Sequence, residues 1–376
     1  MREPSDRPIP PRNRTRLLFV LTAPILWMAA GCGYEGDLDA LVERARAEHE
    51  RLEAEIDELF ASDLGSLKRP NGFVYAVDVG QLLDYAALAE RRDWYEHVRQ
   101  IATDNLIVLD DDDPFTRGFV LWRFRPGDGK EDRDATGTTE ALRIAEGLWH
   151  GAEVFDRPED RELSIEILRG YQRHEGIDQG VWLIRNYFQF ASRGFATNSF
   201  LIDIDPDFVR EVADTTGDEE FAGLADRMTE QIESAVSPSK LLHSMIQPEV
   251  ITLSPEPGAY FSPNNVEHLG NSLNIAEQCV STNRGVAENV LEFAVRNLGD
   301  GKLFFDASTG RPVLRDKGGT GLWAPMARLA ALLEDRENCM KALWRLVGTR
   351  DAPGAEFWVR GERLLAYRIA LDYLGK

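Results

Sequence analysis

Residues 137–171 read GTTEALRIAEGLWHGAEVFDRPEDRELSIEILRGY. Apolar residues recur there at helical spacing in two runs, about 137–155 and 158–171. Pro158 follows Asp156 by two residues, where proline serves as the first-turn residue of a new helix because its missing N–H is not needed there. The stretch predicts a helical hairpin, and the same reading extends in both directions. Upstream lies a pair over about 78–89 and 91–106, broken at Glu90-Arg91-Arg92-Asp93. Downstream lie pairs over about 206–216 and 218–235, 265–281 and 284–298, and 322–334 and 336–348.

A last helix over 359–374 has no partner after it. The charged helix over 37–61, with Leu38, Leu41, Val42, Ala45, Leu52, Ile56, Leu59 and Phe60 on one side, supplies one if the chain closes on itself. Long alternating β patterns are missing from the rest of the sequence. The hairpins recur about every 55–65 residues, whereas open solenoids usually repeat about every 34–47. Their connections are long, aromatic-rich and dissimilar. This pattern predicts an all-α fold: a single (α/α)6 toroid of about six hairpins over residues 37–376.

The first 31 residues differ. Arg2, Arg7, Arg12, Arg14 and Arg16 precede an uncharged run from Leu17 to Ala30, then Gly31 and Cys32. A basic leader, a short apolar core and small residues at its end read as an export signal. The stretch Met28-Ala29-Ala30-Gly31-Cys32 resembles a bacterial lipobox, with alanine where leucine is usual. That resemblance implies cleavage after residue 31, a lipid on Cys32, a tether over 32–36 and residence at the cell envelope. Gly33 in place of aspartate implies the outer membrane in a two-membraned host. Cleavage would take the net charge from −21 to −24 by removing five arginines and two acidic residues. So acidic a chain opposes nucleic acid, whose phosphates recruit Lys and Arg. It also opposes spreading on anionic lipid, so the lipid tether would hold it to a membrane. Partner proteins of the envelope remain open.

Cys279 and Cys339 stand in apolar helical patterns, and spacing does not say whether they pair. The six histidines show no His-x-x-x-His pair, and Cys-x-x-Cys is missing, so neither a metal nor a cofactor is expected. Asp110 to Asp113 is a run of four adjacent carboxylates, which lacks the alternate-residue geometry of a calcium loop. Gly318-Gly319-Thr320-Gly321 lacks the Lys-Ser/Thr of a phosphate loop, and no Gly-x-Ser-x-Gly elbow occurs.

In a helical toroid the inner helices open at one face around a common depression. The segments before them are 71–78, 132–140, 195–200 with Asp203 and Asp205, 260–265, 317–323 and 356–360. Each mixes aromatics with short polar residues, as a sugar-binding cleft requires. Singly, such Asp, Asn, Ser and Thr residues also serve as helix caps. The aromatic and amide candidates for sugar contact are Tyr75, Trp122, Trp182, Tyr187, Asn198, Asn264, Trp323 and Trp358, with Glu249 as a further cleft carboxylate.

The segment from Leu121-Trp122-Arg123-Phe124 through Asp134-Ala135-Thr136-Gly137-Thr138-Thr139-Glu140 resembles the second-hairpin opening of glycoside hydrolase family eight. Upstream, Val77-Asp78-Val79-Gly80 stands where that family has Ser-Glu-Gly-x-Gly. Asn198-Ser199-Phe200 with Asp205-Pro206 is similar to its third opening. The resemblance covers about 150 residues and is closer to the six-hairpin glycosidase superfamily than to the family itself. It implies a polysaccharide or oligosaccharide ligand and two carboxyls flanking the glycosidic bond, roughly 6.5–9.5 Å apart for inversion. The departures are Asp78 in place of the family's glutamate, and Gly137 and Thr138 in place of acidic residues. Asp78, Asp134 and Glu140 are the catalytic candidates, with Asp78 and Asp134 as the expected inverting pair and Glu140, nearly two turns beyond Asp134, placed to orient sugar hydroxyls or hold an arginine. A non-catalytic toroid that binds a glycan or a protein is the alternative, and a lyase or epimerase with Tyr75, Tyr187 or Tyr260 as base is another.

Overall fold

A computed structural model describes residues 38–60, 67–110, 112–127, 133–248, 265–298, 301–313, 318–350 and 356–375. Cys32, Glu249, Tyr260 and Asn264 lie outside them. Twelve α-helices run in chain order among the described residues. They are α1 (Leu38–Phe60), α2 (Ala76–Leu88), α3 (Arg92–Asn105), α4 (Thr138–Val154), α5 (Pro158–Gln172) and α6 (Pro206–Thr216). Then follow α7 (Glu219–Ser234), α8 (Leu269–Glu277), α9 (Arg284–Arg296), α10 (Thr320–Leu332), α11 (Arg336–Val347) and α12 (Phe357–Leu374). Pro158 and Pro206 open α5 and α6 as first-turn prolines, and Gly217 ends α6 in the left-handed conformation.

Short antiparallel strand pairs join the helices at their ends. They are β1 (Val74–Tyr75) with β2 (Arg123–Phe124), β3 (Glu175–Asp178) with β4 (Val181–Ile184), and β5 (Phe188–Gln189) with β6 (Gly194–Phe195). The others are β7 (Ser199–Phe200) with β8 (Met245–Ile246), and β9 (Val266–His268) with β10 (Phe304–Asp306). The helical spacing predicted α8 from about residue 265, but it begins at Leu269. Val266–His268 are drawn into register with Phe304–Asp306 as a strand instead. The β3–β4 hairpin, whose residues alternate too briefly to stand out, was not foreseen either.

The helices form two concentric layers, an all-α toroid. Helices α4, α2, α12, α10 and α8 pack side by side in that order, and α5, α3, α1, α11 and α9 back them from outside. The layer each helix joins follows from its apolar pattern. α2 is buried nearly all round, from Ala76 to Ala87, whereas α3 buries only Trp94, Tyr95, Val98, Ile101 and Ala102 on one face. The last helix is backed by the first. His49 of α1 lies 2.6 Å from the Tyr85 hydroxyl of α2, Tyr85 donates to Glu53 at 2.7 Å, and Trp94 Nε1 donates to Asp57 at 2.6 Å.

Two features position the site. The first is the close approach of α2 and α4. A Cβ at Gly80 would lie 2.8 Å from Arg143 Cβ, and one at Gly147 would lie 2.8 Å from both the Asp84 backbone nitrogen and Leu83 Cβ. The two helices therefore run side by side with matched turns. Gly147→Ala is expected to destabilise the chain by about 1–3 kcal/mol through overpacking against a backbone that cannot swing aside. Chemical denaturation measures this, and an unchanged midpoint would show that the pair can spread freely.

The second is the position of α6. Its main contact is with α7, and between α4 and α8 the short 3-10 turn Leu201–Asp203 makes the bridging contacts instead. α6 buries Pro206, Phe208, Val209, Val212 and Ala213, leaving its other face polar. That face helps line a cavity of about 580 Å³ along the inside of the ring.

A buried polar belt crosses the ring's interior. Arg328 of α10 donates to both oxygens of Glu277 (2.7 and 2.9 Å), to Glu362 Oε2 (2.9 Å) and to Asn274 Oδ1 (2.9 Å). Gln81 of α2 donates to the other oxygen of Glu362 at 2.6 Å, and Arg143 of α4 lies 4.0 Å from it. Five inner helices thus share one charge-paired network. Cys279 and Cys339 are both buried and unpaired.

Candidate active site

Asp78 and Glu140 occupy the same place on neighbouring helices, the third residue of α2 and of α4. Because those helices pack in step, the two carboxyls fall within electrostatic reach of each other. Their surroundings differ.

Asp78 is fully buried and is gripped by Arg69, whose Nε and Nη2 donate to its two oxygens at 2.9 Å each. The third guanidinium nitrogen donates to Glu356 at 2.8 Å, before α12. Burial pushes the Asp78 carboxyl above its usual range, and the Arg69 bonds work against that. Such a two-pronged ion pair fixes the geometry of both partners.

Glu140 has no such partner. Its carboxyl folds back over Gly137, where an added Cβ would overlap it, so glycine at this helix start makes room for the acid. Burial pushes it up to about 7, while its own backbone N–H pulls the other way; Asp203 repels the charge, Arg143 attracts it and Asp78 repels it. Asp203 is fully buried on the 3-10 turn, where it accepts a hydrogen bond from Thr139. Burial pushes it up to about 6, offset in part by the Thr139 and Thr138 hydroxyls. Asp205, which caps α6 by accepting from Phe208 N at 3.0 Å, is pushed up by burial to about 7.

Asp134 stands on the rim, with its side chain 42% exposed. It accepts from Trp122 Nε1 at 2.8 Å, Arg123 Nη2 at 3.0 Å and Ala135 N at 2.8 Å. Trp122 connects the two carboxyl sites. Its Cβ lies 3.1 Å from the place a Gly137 Cβ would occupy, beside Glu140, and its indole N–H reaches Asp134.

Around them, β1 and β2 present a ladder of rings and guanidinium groups. Tyr75 meets Trp122 edge-on at 5.6 Å, Arg69 lies over Tyr75 at 4.2 Å, and Arg123 lies over Trp122 at 4.0 Å and over Phe73 at 3.9 Å. Tyr187 is exposed next to Asn186, whose carbonyl accepts from Thr138 at the start of α4, and Asn198 is tied to the Asn186 backbone. Trp358 opens α12, half-buried. Trp182 packs on the β3–β4 hairpin: its indole donates to Glu175 at 2.7 Å, and Arg227 of α7 sits 6.0 Å from its ring. Trp323 is buried, with Arg345 of the outer helix α11 at 5.8 Å from its ring.

Arg69 was not among the residues singled out from sequence, and Asp203 was named there only with the residues that precede α6, without a role. Asp203 sits in a segment that was marked, but nothing in its spacing distinguishes it from a cap. Glu267 was missed as well: fully buried before α8, it accepts from Ser244 N at 2.9 Å and pairs with His243 at 2.6 Å.

The raised carboxyls have a consequence for stability. Glu140, Asp203 and Asp205 each have a folded-state pKa of about 6–7, above the ordinary values of 4.5 and 3.8. The stability they contribute is fully present below those ordinary values and is lost as pH rises through about 6–7. Melting temperature is therefore expected to fall between about pH 5 and pH 8, by an amount on the order of 5 °C. Differential scanning calorimetry checks it, and a profile that rises over that range would mean these carboxyls ionise freely.

No protein-family model and no curated protein matches the chain. Solved structures do. A β-1,3-1,4-glucanase from Paenibacillus sp. X4 superposes with a TM-score of 0.64 at 12% identity, covering 89% of this chain and 93% of that one. An endo-β-1,4-glucanase from Acetobacter xylinum gives 0.59 at 13%, covering 90% and 100%. An α-amylase from Clostridium perfringens gives 0.63 at 14%, covering 79% and 86%. The chain has the helical-toroid fold of these glycosidases. At such identities the likeness is one of fold, and the site must be argued from its own residues.

Proposed function

We propose that the protein is a glycoside hydrolase acting on a polysaccharide at the depression where the inner helices begin, with Glu140 as proton donor. The observation that carries this is Glu140 itself: a carboxyl kept in its acid form up to about 7, beside an aromatic rim. A glycosidic oxygen needs a proton as its bond to the sugar breaks, and an acid that holds its proton near neutrality can give it. Asp134 is the partner on this reading. Trp122 stands between the two carboxyls, its Cβ beside Gly137 and Glu140 and its indole N–H on Asp134, and inversion requires them roughly 6.5–9.5 Å apart so that a water fits. Asp134 takes a proton from that water as its oxygen bonds to the sugar carbon, and Glu140 protonates the departing oxygen. Asp78, locked to Arg69, is a positioning residue that holds the Arg69–Tyr75 stack, while burial first, and Asp203 after it, hold Glu140 in its acid form.

The fully paired Asp78 and the glycine and threonine at positions 137 and 138 favour a second reading, a toroid that binds a glycan without turning it over. Release of reducing sugar from a panel of β-glucans and bacterial exopolysaccharides decides between them. Turnover supports the hydrolase, and saturable binding with no turnover supports the second reading.

The leader and the Met28-to-Cys32 stretch support an exported lipoprotein held at the cell envelope through Cys32. Among the described residues no helix is long and apolar enough to cross a membrane. Globomycin-sensitive processing and fatty-acid labelling, both lost in Cys32→Ser, would establish the anchor.

A further inference from the structure

A second cluster of chemistry-bearing side chains lies deeper in the ring, on the wall of the 580 Å³ cavity. Asp84 projects from the third turn of α2, and Glu146 and His150 stand one turn apart on α4. Their ligand atoms all lie within 4.8 Å of one another. The close approach at Gly147 brings them together, since a side chain there would collide with the Asp84 backbone. Glu146 has no hydrogen-bond or ion-pair partner among the described residues, although it faces the cavity.

We propose that Asp84, Glu146 and His150 bind one divalent transition-metal cation of the zinc class. Three geometric features support this. His150 Nδ1 and Asp84 Oδ1 are 3.3 Å apart, which is the edge of a tetrahedron with arms of about 2.0 Å, the Zn–N and Zn–O bond length. Glu146 supplies the third donor after a side-chain movement on the order of 1 Å, and the cavity leaves the fourth position open to water, as in three-ligand zinc sites. The other ring nitrogen of His150 faces Glu211 of α6 at 3.9 Å, and Glu211 is itself held by Trp149 Nε1 at 2.7 Å. A carboxylate behind the free nitrogen of a ligating imidazole is the usual outer partner of such a histidine. A mixed set of one imidazole and two carboxylates suits Zn²⁺ or Mn²⁺ better than Ca²⁺ or Mg²⁺.

The cation would also have a structural effect. α6 stands back from α4 and α8, and Glu211 is its reach toward α4. Metal on His150 would fix the imidazole that Glu211 approaches, and so tie the third hairpin to the ring. The site is distinct from the depression at the helix starts, because Asp84 and His150 lie toward the opposite ends of α2 and α4.

The test uses the untagged full chain in detergent, stripped with chelator and titrated with Zn²⁺ by calorimetry and with Co²⁺ by visible absorption. The expected result is saturable uptake of one ion per chain, an intensified cobalt spectrum typical of a four-coordinate site, and a raised melting temperature. Glu146→Gln and Asp84→Asn should each weaken uptake at least tenfold, and Glu211→Gln by about tenfold or more through His150. Far-UV circular dichroism of the metal-free variants separates lost binding from lost folding; Glu146→Gln keeps the size of the side chain. Absence of saturable uptake, or uptake unchanged in folded Glu146→Gln and Asp84→Asn, overturns the proposal.

Discussion

Glu140→Gln is expected to lower glycan turnover by about 10²–10⁴-fold, the range that a positioned general acid supplies. The amide keeps the size of the side chain and its place over Gly137 but has no acidic proton to give. On the proposed reading Tyr75, Trp122 and Tyr187 carry glycan binding, which should change little, so the loss falls on kcat and not on KM. The pH profile is the sharper readout. With the carboxyl titrating at about 7, the active acid form falls roughly tenfold per pH unit above that value. The wild-type rate should show this limb, and the small residual rate of the glutamine variant should not. A variant that kept both its rate and the limb would move the proton donor to another group. Asp134→Asn gives a companion measurement: loss of turnover with the alkaline limb intact is expected if it serves as base.

Arg328→Met is the second large effect, and it concerns the ring. Arg328 is 4% exposed and holds Glu277, Glu362 and Asn274 together. Glu362 is fully buried, so removing the guanidinium leaves its charge with only Gln81 and the more distant Arg143 at 4.0 Å, and leaves Glu277 without its ion-pair partner. Breaking a buried pair from one side typically costs about 3–5 kcal/mol, far more than the pair's net worth against apolar replacements. The variant should therefore lose about that much in chemical denaturation. Adding Glu277→Gln and Glu362→Gln should restore a large part, because the stranded charges are then gone. A single variant within about 1 kcal/mol of wild type would show that water reaches the belt and solvates both carboxylates.

Much of the scaffold could be read from the sequence. Apolar periodicity located all twelve helices, including α1 as the partner of α12, and the prolines at 158 and 206 marked two of the starts. Periodicity served well because a helix is set by neighbours within a turn or two. It served less well where a partner from elsewhere intervened. Residues 265–268 continue a helical pattern, yet the backbone of residues 304–306 takes Val266–His268 as a strand. The third hairpin has the same apolar spacing as the others, and only the packed ring shows α6 set back from α4 and α8.

The site followed the same division. Asp78 and Glu140 were visible as acids in the first turns of α2 and α4, because that position is a matter of local spacing. Their difference in character was not visible. Asp78 is neutralised by Arg69, and Arg69 also reaches Glu356, which lies 287 residues further along the chain. Glu140 is left with Asp203, 63 residues away, as a repelling neighbour. The metal candidates were hidden for a similar reason: Glu146 and His150 share a helix, but Asp84 joins them only because Gly147 lets α2 approach.

By itself the sequence determined the helices, their pairing into a ring, the acidic charge and the placing of two carboxyls at helix starts, since all of these rest on composition or on contacts within a few residues. Only the tertiary structure decided which carboxyl keeps its proton. That depends on burial and on Coulomb interactions over a few ångströms between groups far apart in the chain, and the fold alone sets those distances.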